Sequence, residues 1–295
     1  MGRAAALIAG CLLALAGLAL EAAAAERFTQ GMLWRVSRSG VAPSHVYGTI
    51  HLADPRVLEL PAPVLQALGR SRTYAMEVPN WEGHDWRMYE AAQLPAGQSL
   101  EKMIGSEALG KLRTELGRRG IPEQLVPSLK PWAALANIAV TPEGYERATL
   151  DQKLFELARS RRLRIEALEG TEEHIAVFDG IPLETQVAML RHTLEQRDYL
   201  ASMIEPTLQA WLKRDLAGIR AVNGRIVARF PAMAPHYALF MRHLVDNRSV
   251  VMAHRLHVKL RAGGVFVAVG ATHLVGESGL LHLIEEQGYR VQRIY

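Results

Sequence analysis

The chain has 295 residues, 49% of them apolar and 22% charged, a globular balance with enough apolar material for a core, which excludes an intrinsically disordered protein. It is mildly basic, with a formal charge of +4 and a pI near 9.3. Its arginine runs, Arg118-Arg119 and Arg159 to Arg164, have no interleaved aromatics and no nucleic-acid module around them. They read as solvated helix faces and exclude nucleic acid as the expected partner.

The first 25 residues are of another kind. Arg3 is a short positive start, Ala4 to Leu20 is almost wholly Ala, Leu and Ile, and Ala23-Ala24-Ala25 precedes Glu26. That order predicts a secretory signal peptide cleaved near Ala25, and therefore a periplasmic or secreted protein with residues 26–295 as its single domain. The apolar run is short for a membrane span and no basic cluster follows it, so no stable insertion is expected after cleavage. Ile8-Ala9-Gly10-Cys11 resembles a lipoprotein site, but the apolar stretch before Cys11 is too short. Cys11 is the only cysteine, so the mature chain has no thiol for a disulfide or a nucleophile. Cleavage removes one Arg and one Glu, which leaves the net charge unchanged.

Past the leader, Met32–Ser37 and His45–Ile50 read as strands joined by a turn at Arg38–Pro43, a hairpin. A helix is expected over Pro63–Leu68, then a strand over Thr73–Val78 that ends at Pro79. The middle is helical. Ser106 is a candidate N-cap ahead of Leu109, Leu112 and Leu116, with Gly120 as the stop. Pro131-Trp132 opens a further helix, with Trp132 as a core anchor, and Leu150–Ser160 continues the pattern. Arg164–Leu168 is a short strand, and Pro182 sits at a first helical turn. A long helix spans His236 to Leu260 and stops at Gly263-Gly264. Val265–Val269 has the continuous apolar character of a strand buried on both faces. A helix over Gly279–Gln287 and a strand over Tyr289–Tyr295 close the chain. Strands alternating with helices predict an α/β fold: one domain, a mixed central β-sheet with helices on its faces, and a helical middle segment.

Four polar residues fall at or just past the C-terminal ends of predicted strands: His51, Glu77, Glu169 and His273. In open α/β sheets the ligand crevice lies outside those ends, so distant strands can deliver side chains to one place. Both histidines follow a glycine by three positions, in Gly48-Thr49-Ile50-His51 and Gly270-Ala271-Thr272-His273. Glycine there permits a sharp exit from the strand and a close backbone approach. With 24 glycines and 11 histidines in 295 positions, random order gives about one such match. The third occurrence, Gly279 to His282, lies in a predicted amphipathic helix and is set aside. Two imidazoles and a carboxylate suit a zinc-like or manganese-like ion. Such an ion polarises a carbonyl and turns bound water into a nucleophile near neutral pH, a route to hydrolysis in a chain without a thiol.

Each residue also has a plainer reading. A strand-end histidine is often a packing or turn residue. Glu77 follows the apolar Tyr74-Ala75-Met76 and needs a partner, so it is either a ligand or base or half of a structural ion pair. Glu169 stands among Glu166, Glu172 and Glu173, which read as surface charge. Arg248 falls on the apolar stripe Met241, Leu244, Val245, Val251, Met252, where an inward guanidinium meets a carboxylate or an anion. His254 and His257 read as surface residues.

Leu33-Trp34-Arg35-Val36, Tyr47 to His51, the strand end at Glu77, Leu94 to Gln98 and Lys130-Pro131-Trp132 stand in order along the chain, followed by Ala167-Leu168-Glu169, Arg248 and Ala268 to Gly276. In that combination the sequence resembles the TraB/GumN family, whose animal relatives include the Tiki proteases. The resemblance covers nearly all of the mature chain. It implies a mixed α/β domain related to erythromycin-esterase-like and ChaN-like folds, and a metal-dependent protease using Mn²⁺ or Co²⁺, with Zn²⁺ also possible. By that similarity His51, Glu77 and His273 are the expected metal ligands, with Glu77, Glu169 and Arg248 as catalytic candidates, acting on a peptide or small-molecule substrate. The chain departs from the family pattern at Ser249, where Asn follows the arginine, at Ala148 to Asp151, where Gly-x-Asp is common, and at His174, where Gln is common. Two other readings remain open: metal-independent ester hydrolysis with a histidine base oriented by Glu77, and a non-catalytic binding protein for a small ligand, a metal or a peptide signal.

Overall fold

The computed structural model describes residues 27–78, 86–139 and 149–295. The expected signal peptide, Pro79 and Ala148 lie outside the described residues. The strands are β1 (Leu33–Ser37), β2 (Ser44–Thr49), β3 (Thr73–Met76), β4 (Arg164–Ala167), β5 (Val265–Gly270) and β6 (Arg290–Arg293). They form one six-stranded mixed sheet in the order β4-β3-β5-β2-β1-β6. The expected α/β class with a mixed central sheet is what the chain adopts. The β4, β3, β5 and β2 ladders are parallel, while β1 runs antiparallel to both β2 and β6. Five strands therefore point the same way, and four of them deliver their following loops to one end of the sheet.

β5 is buried at all six positions, as its unbroken apolar run requires of a central parallel strand. It stacks Phe266 between Tyr74 of β3 and Tyr47 of β2, with ring centroids 6.2 Å apart on each side. A large cluster fills the sheet faces, and a separate one, built from Leu109, Leu112, Leu116, Ile138 and Leu190 among others, holds the helical middle together.

Between β2 and β3 lie α1 (Pro55–Leu58) and α2 (Ala62–Gly69). The middle carries α3 (Trp86–Ala91), α4 (Leu100–Ile104), α5 (Ser106–Gly117), α6 (Pro131–Ala139) and α7 (Leu150–Ser160). After β4 come α8 (Thr171–Asp179), α9 (Leu183–Glu195), α10 (Arg197–Ser202), α11 (Ile204–Leu212) and α12 (Leu216–Arg229). The long helix is α13 (Ala234–Met241), a π-helical turn at Arg242–Asp246, and α14 (Asn247–Ala262). Finally α15 (Leu280–Glu286) packs back onto the sheet. Among the described residues no helix is long and apolar enough to cross a membrane.

Several expectations shift in detail. Ser106 opens α5 as its first residue, and Gly105, at φ 87°, takes the cap position. Arg119 is not a solvated residue: its side chain is fully buried and donates to Glu115 O and to the Glu115 carboxylate. On α14 the buried stripe runs through Arg248, Met252, Leu256 and Leu260 along the i+4 row, and Val251 turns outward at 42% exposure. Trp132 is a core anchor, stacked on Phe178 and donating its Nε1–H to Asp179.

α7 begins with a capping box, in which Thr149 Oγ1 accepts from Gln152 N and Gln152 Oε1 accepts from Thr149 N. This fixes the first turn, and with it Asp151, which points into the site. Thr149→Ala is expected to cost about 1 kcal/mol and to lower the melting temperature by a few degrees in a thermal unfolding scan.

Candidate functional site

Gly48 and Gly270 build the site by close approach. A Cβ on Gly48 would lie 2.7 Å from Leu274 Cδ1 and 3.2 Å from the Ala271 backbone, so glycine lets β2 pass against the short turn Ala271–His273. Gly270 has ordinary extended dihedrals, φ −53° and ψ 137°. The sharp exit expected of it is therefore not what it supplies. A Cβ there would sit 3.4 Å from Glu77 Oε1, 3.5 Å from His51 Nε2 and 3.7 Å from His273 Cδ2. One missing methyl marks the point where three strand ends converge.

His51, two residues past β2, turns its Nδ1 to Asp151 Oδ2 at 2.7 Å. The other Asp151 oxygen accepts from Thr49 Oγ1 at 2.6 Å, so two residues of the first motif grip one buried carboxylate. More than half of the His51 side chain is exposed, against 8% of Asp151. The Asp151 charge draws the His51 imidazole up to about 9, against the opposing effect of burial. His273 is 4% exposed. Its Nδ1 meets Ser249 Oγ at 2.9 Å, and Ser249 in turn donates to Val245 O at 2.7 Å. Burial lowers the His273 pKa, with Glu77 opposing, so this ring is neutral at pH 7.

Glu77 follows β3, which lies between the edge strand β4 and the central β5. Its Oε1 accepts from Gly270 N at 2.6 Å and its Oε2 from Arg248 Nη2 at 2.7 Å. His273 Nε2 stands 3.8 Å from Oε2. Burial alone would raise this carboxyl, but His273, Arg248, His51 and the Gly270 N–H hold it far below the usual carboxylate range. Because His273 is itself neutral, Arg248 is the permanent cation in that balance. Arg248 also meets Glu169 through Nε at 3.0 and 2.9 Å and through Nη2 at 2.8 Å, while its Nη1 donates to Leu244 O. A guanidinium fork can bridge two carboxylates at once; an ammonium cannot. Glu169 accepts on both oxygens from Arg248 and lines neither hollow described below. His174 Nδ1 lies 3.6 Å from Glu169, outside hydrogen-bond range.

All five residues singled out from the sequence thus lie in one connected cluster. Thr49 has no site role in the sequence reading, and Asp151 and Ser249 enter it only at positions that depart from the family pattern; Asp151, not Glu77, is the carboxylate that orients His51. The neighbouring acids are surface pairs, Glu172 with Arg87, Glu173 with Arg255 and Glu166 with Lys259. His282, of the discarded third motif, pairs with Glu286 on α15, and His254 is exposed. The π turn was not legible either, and it sits one residue before α14 delivers Arg248 and Ser249. Such turns recur at functional sites because they displace side chains from the regular helical track.

The cluster separates two hollows. The larger, about 540 Å³, is walled by Tyr74, Met76, Val78, Phe178 and Leu244, with His51, Glu77, Asp151 and Arg248 on its polar side. The smaller, about 240 Å³, shares His51, Glu77 and Arg248 and adds His273, Trp211 and Thr207. Trp211 is fixed by its Nε1–H to Gly48 O at 3.0 Å. Two histidines and a carboxylate are a donor set that a borderline divalent cation accepts. Both rings already have Nδ1 engaged, the outer-shell arrangement that orients Nε2 toward a metal. Among the described residues no three such side chains stand at coordinating spacing, and Arg248 supplies the positive charge beside Glu77.

The TraB/PrgY/gumN family model matches residues 32–293. The chain is similar to YbaP of Escherichia coli strain K12, at 27% identity over 255 residues, covering 81% of this chain and 87% of YbaP. It is likewise similar to YbaP of Shigella flexneri, at 26% over 264 residues, covering 84% and 90% of the two chains. Metalloprotease TIKI1 of Danio rerio is 22% identical over 309 residues, covering 88% of this chain and 62% of that protein. No solved structure matches.

Proposed function

Taking as premise that this chain belongs to the TraB/PrgY/gumN family, we propose that it is an exported, metal-dependent hydrolase of the peptidase kind. The observation that carries the reading is the convergence of His51, His273 and Glu77 on Gly270, with each imidazole anchored through Nδ1. Similarity to a metalloprotease supports it, and the leader composition supports export. His51 Nε2, His273 Nε2 and Glu77 would hold the cation, Mn²⁺ or Co²⁺ by family similarity, with Zn²⁺ compatible. When bound, it would polarise the scissile carbonyl and acidify a water. The chain's own part is placement. Asp151 and Ser249 set the ring orientations, Arg248 and Gly270 N–H hold Glu77 ionised, and Glu169 keeps Arg248 in place. Arg248 and Glu169 are in this sense positioning residues. The two hollows on either side of Glu77 would take the two sides of a peptide or small-molecule substrate.

Purified protein is expected to cleave peptide or ester substrates when Mn²⁺ or Co²⁺ is added, and to lose that activity to a chelator. Elemental analysis should find about one equivalent of divalent metal, absent from a His51→Ala/His273→Ala double variant. Turnover that persists after thorough chelation would overturn metal dependence.

The His51–Asp151 contact favours one alternative. A carboxylate at 2.7 Å from Nδ1 orients the ring so that Nε2 faces the hollow, which is the geometry of a general base, and with the imidazole drawn up to about 9 this base would act only as pH rises toward that value. In that reading hydrolysis is metal-independent and His273 is structural.

A further inference from the structure

A third hollow, of about 310 Å³, lies at the opposite end of the sheet, where β2, β3 and β5 begin. Gly264 is at this end and Gly270 is at the histidine site. Six residue steps along β5 put the two about 20 Å apart. No carboxylate side chain lines the hollow, while Arg35, Arg70, Arg72 and His45 do. An uncompensated cluster of this kind is uncommon, since surface arginines usually find acidic neighbours.

The origin is in the sequence pattern. Arg35 sits on β1 directly opposite His45 on β2, so antiparallel pairing puts both side chains on one face of the sheet. Arg70 caps α2 and projects from the rim. Arg72 is already engaged, because its Nη2 donates to Ala262 O and Gly263 O at 3.1 Å each. There it satisfies the carbonyls at the C-terminus of α14. Arg35 and Arg70 have no such duty: among the described residues neither side chain has a hydrogen-bond or ion-pair partner. His45 Nδ1 is buried without a hydrogen-bond partner, an unmet polar group of the sort that native structures rarely keep without use. Both guanidiniums are close enough to His45 that, added to burial, they lower its pKa. Positive charge from both guanidiniums therefore reaches His45 inside a hollow whose lining has no carboxylate.

We propose that this hollow is a binding site for a phosphate-bearing anion, held by the Arg35 and Arg70 guanidiniums beside His45. A planar fork matches a phosphate bidentately. Two forks facing a cavity wider than one phosphate select a compact, multiply charged ligand, such as a pyrophosphate-like group. The same chemistry is offered by a free phosphorylated molecule or by a phospholipid headgroup. The assignment is independent of the histidine site and stands whether or not that site is hydrolytic.

The test uses the full chain in about 0.1 M salt, where charges beyond about 10 Å are screened. Inorganic pyrophosphate is titrated by calorimetry, and in parallel the protein is sedimented with phosphatidylglycerol or phosphatidylcholine vesicles. Arg35 and Arg70 are exposed, so R35A/R70A folds. K102A/R225A removes the same charge from exposed positions elsewhere. Saturable one-to-one pyrophosphate binding is expected, weakened at least tenfold in R35A/R70A and less than twofold in K102A/R225A. If instead only phosphatidylglycerol vesicles retain the chain, with the same variant dependence, the ligand is the headgroup. Absence of both, or equal losses in the two double variants, overturns the site.

Discussion

His51→Ala is expected to lower kcat/KM by about 10²–10⁴-fold, the range for losing a group that moves or directs protons at the reacting centre, in a protein that still folds. The structural reason for the second half is exposure. The His51 ring is more than half open to the hollow, so its removal lets water reach Asp151 and leaves no dry cavity. Asp151→Asn makes the sharper comparison. The amide keeps the shape of the carboxylate and can still accept from Thr49 Oγ1, but it loses the charge that holds His51. Outer-shell partners of metal-bound histidines typically matter by 10–100-fold in metal affinity or activity. If His51 is a ligand, the Asp151→Asn loss should therefore shrink when Mn²⁺ or Co²⁺ is raised. If His51 is a free base, added metal should leave the loss unchanged. Full activity in His51→Ala, measured at saturating metal, would remove the hydrolytic role altogether.

The reason these residues were legible is topological. Strand ends can be read from apolar runs and the glycines that follow, and in a mostly parallel sheet the ends share a side. His51, Glu77, Glu169 and His273 were found in this way although up to 222 positions separate them. Arg248 was found by a different signal, a charge where helical periodicity wants an apolar side chain. Asp151 carries that same signal. It shares the buried face of α7 with Leu154, Phe155 and Ala158, yet at the first turn of a helix an acid reads as a dipole partner, and that explanation masks the inward one. Ser249 gives no such cue, because a serine beside an arginine on a helix has no periodic anomaly. The π turn at Arg242–Asp246 has no composition signature at all. Within the same helix, Arg248 Nη1 and Ser249 Oγ donate to the carbonyls of Leu244 and Val245 four residues back, inside the π segment. Val251 lies outside the two buried rows of α14, Arg248-Met252-Leu256-Leu260 and Ser249-Ala253, so the buried face is set by those rows and not by every apolar residue of the helix.

Arg248→Met is expected to be the most destabilising single change in the cluster, at about 3–5 kcal/mol, because it strips two buried carboxylates of their shared cation. Glu77 and Glu169 would then sit as unpaired like charges, 11% and 3% exposed in their side chains. For a chain of this size each kcal/mol moves the melting temperature by about 2–4 °C, so a drop on the order of 10 °C should be seen in a thermal scan. Arg248→Lys tests the geometry. The ammonium keeps the charge but cannot span both carboxylates, so its loss should fall between wild type and Arg248→Met. Glu169→Gln added to Arg248→Met removes one of the two stranded charges and should recover part of the stability without restoring activity, since Glu77 still lacks its cation and keeps only the Gly270 N–H. Non-additivity of that kind is the signature of side chains acting as one unit. If Arg248→Met instead costs less than about 1 kcal/mol, in the range of an exposed ion pair, then Glu77 does not depend on Arg248. The placement of Glu77 would rest on the Gly270 N–H alone.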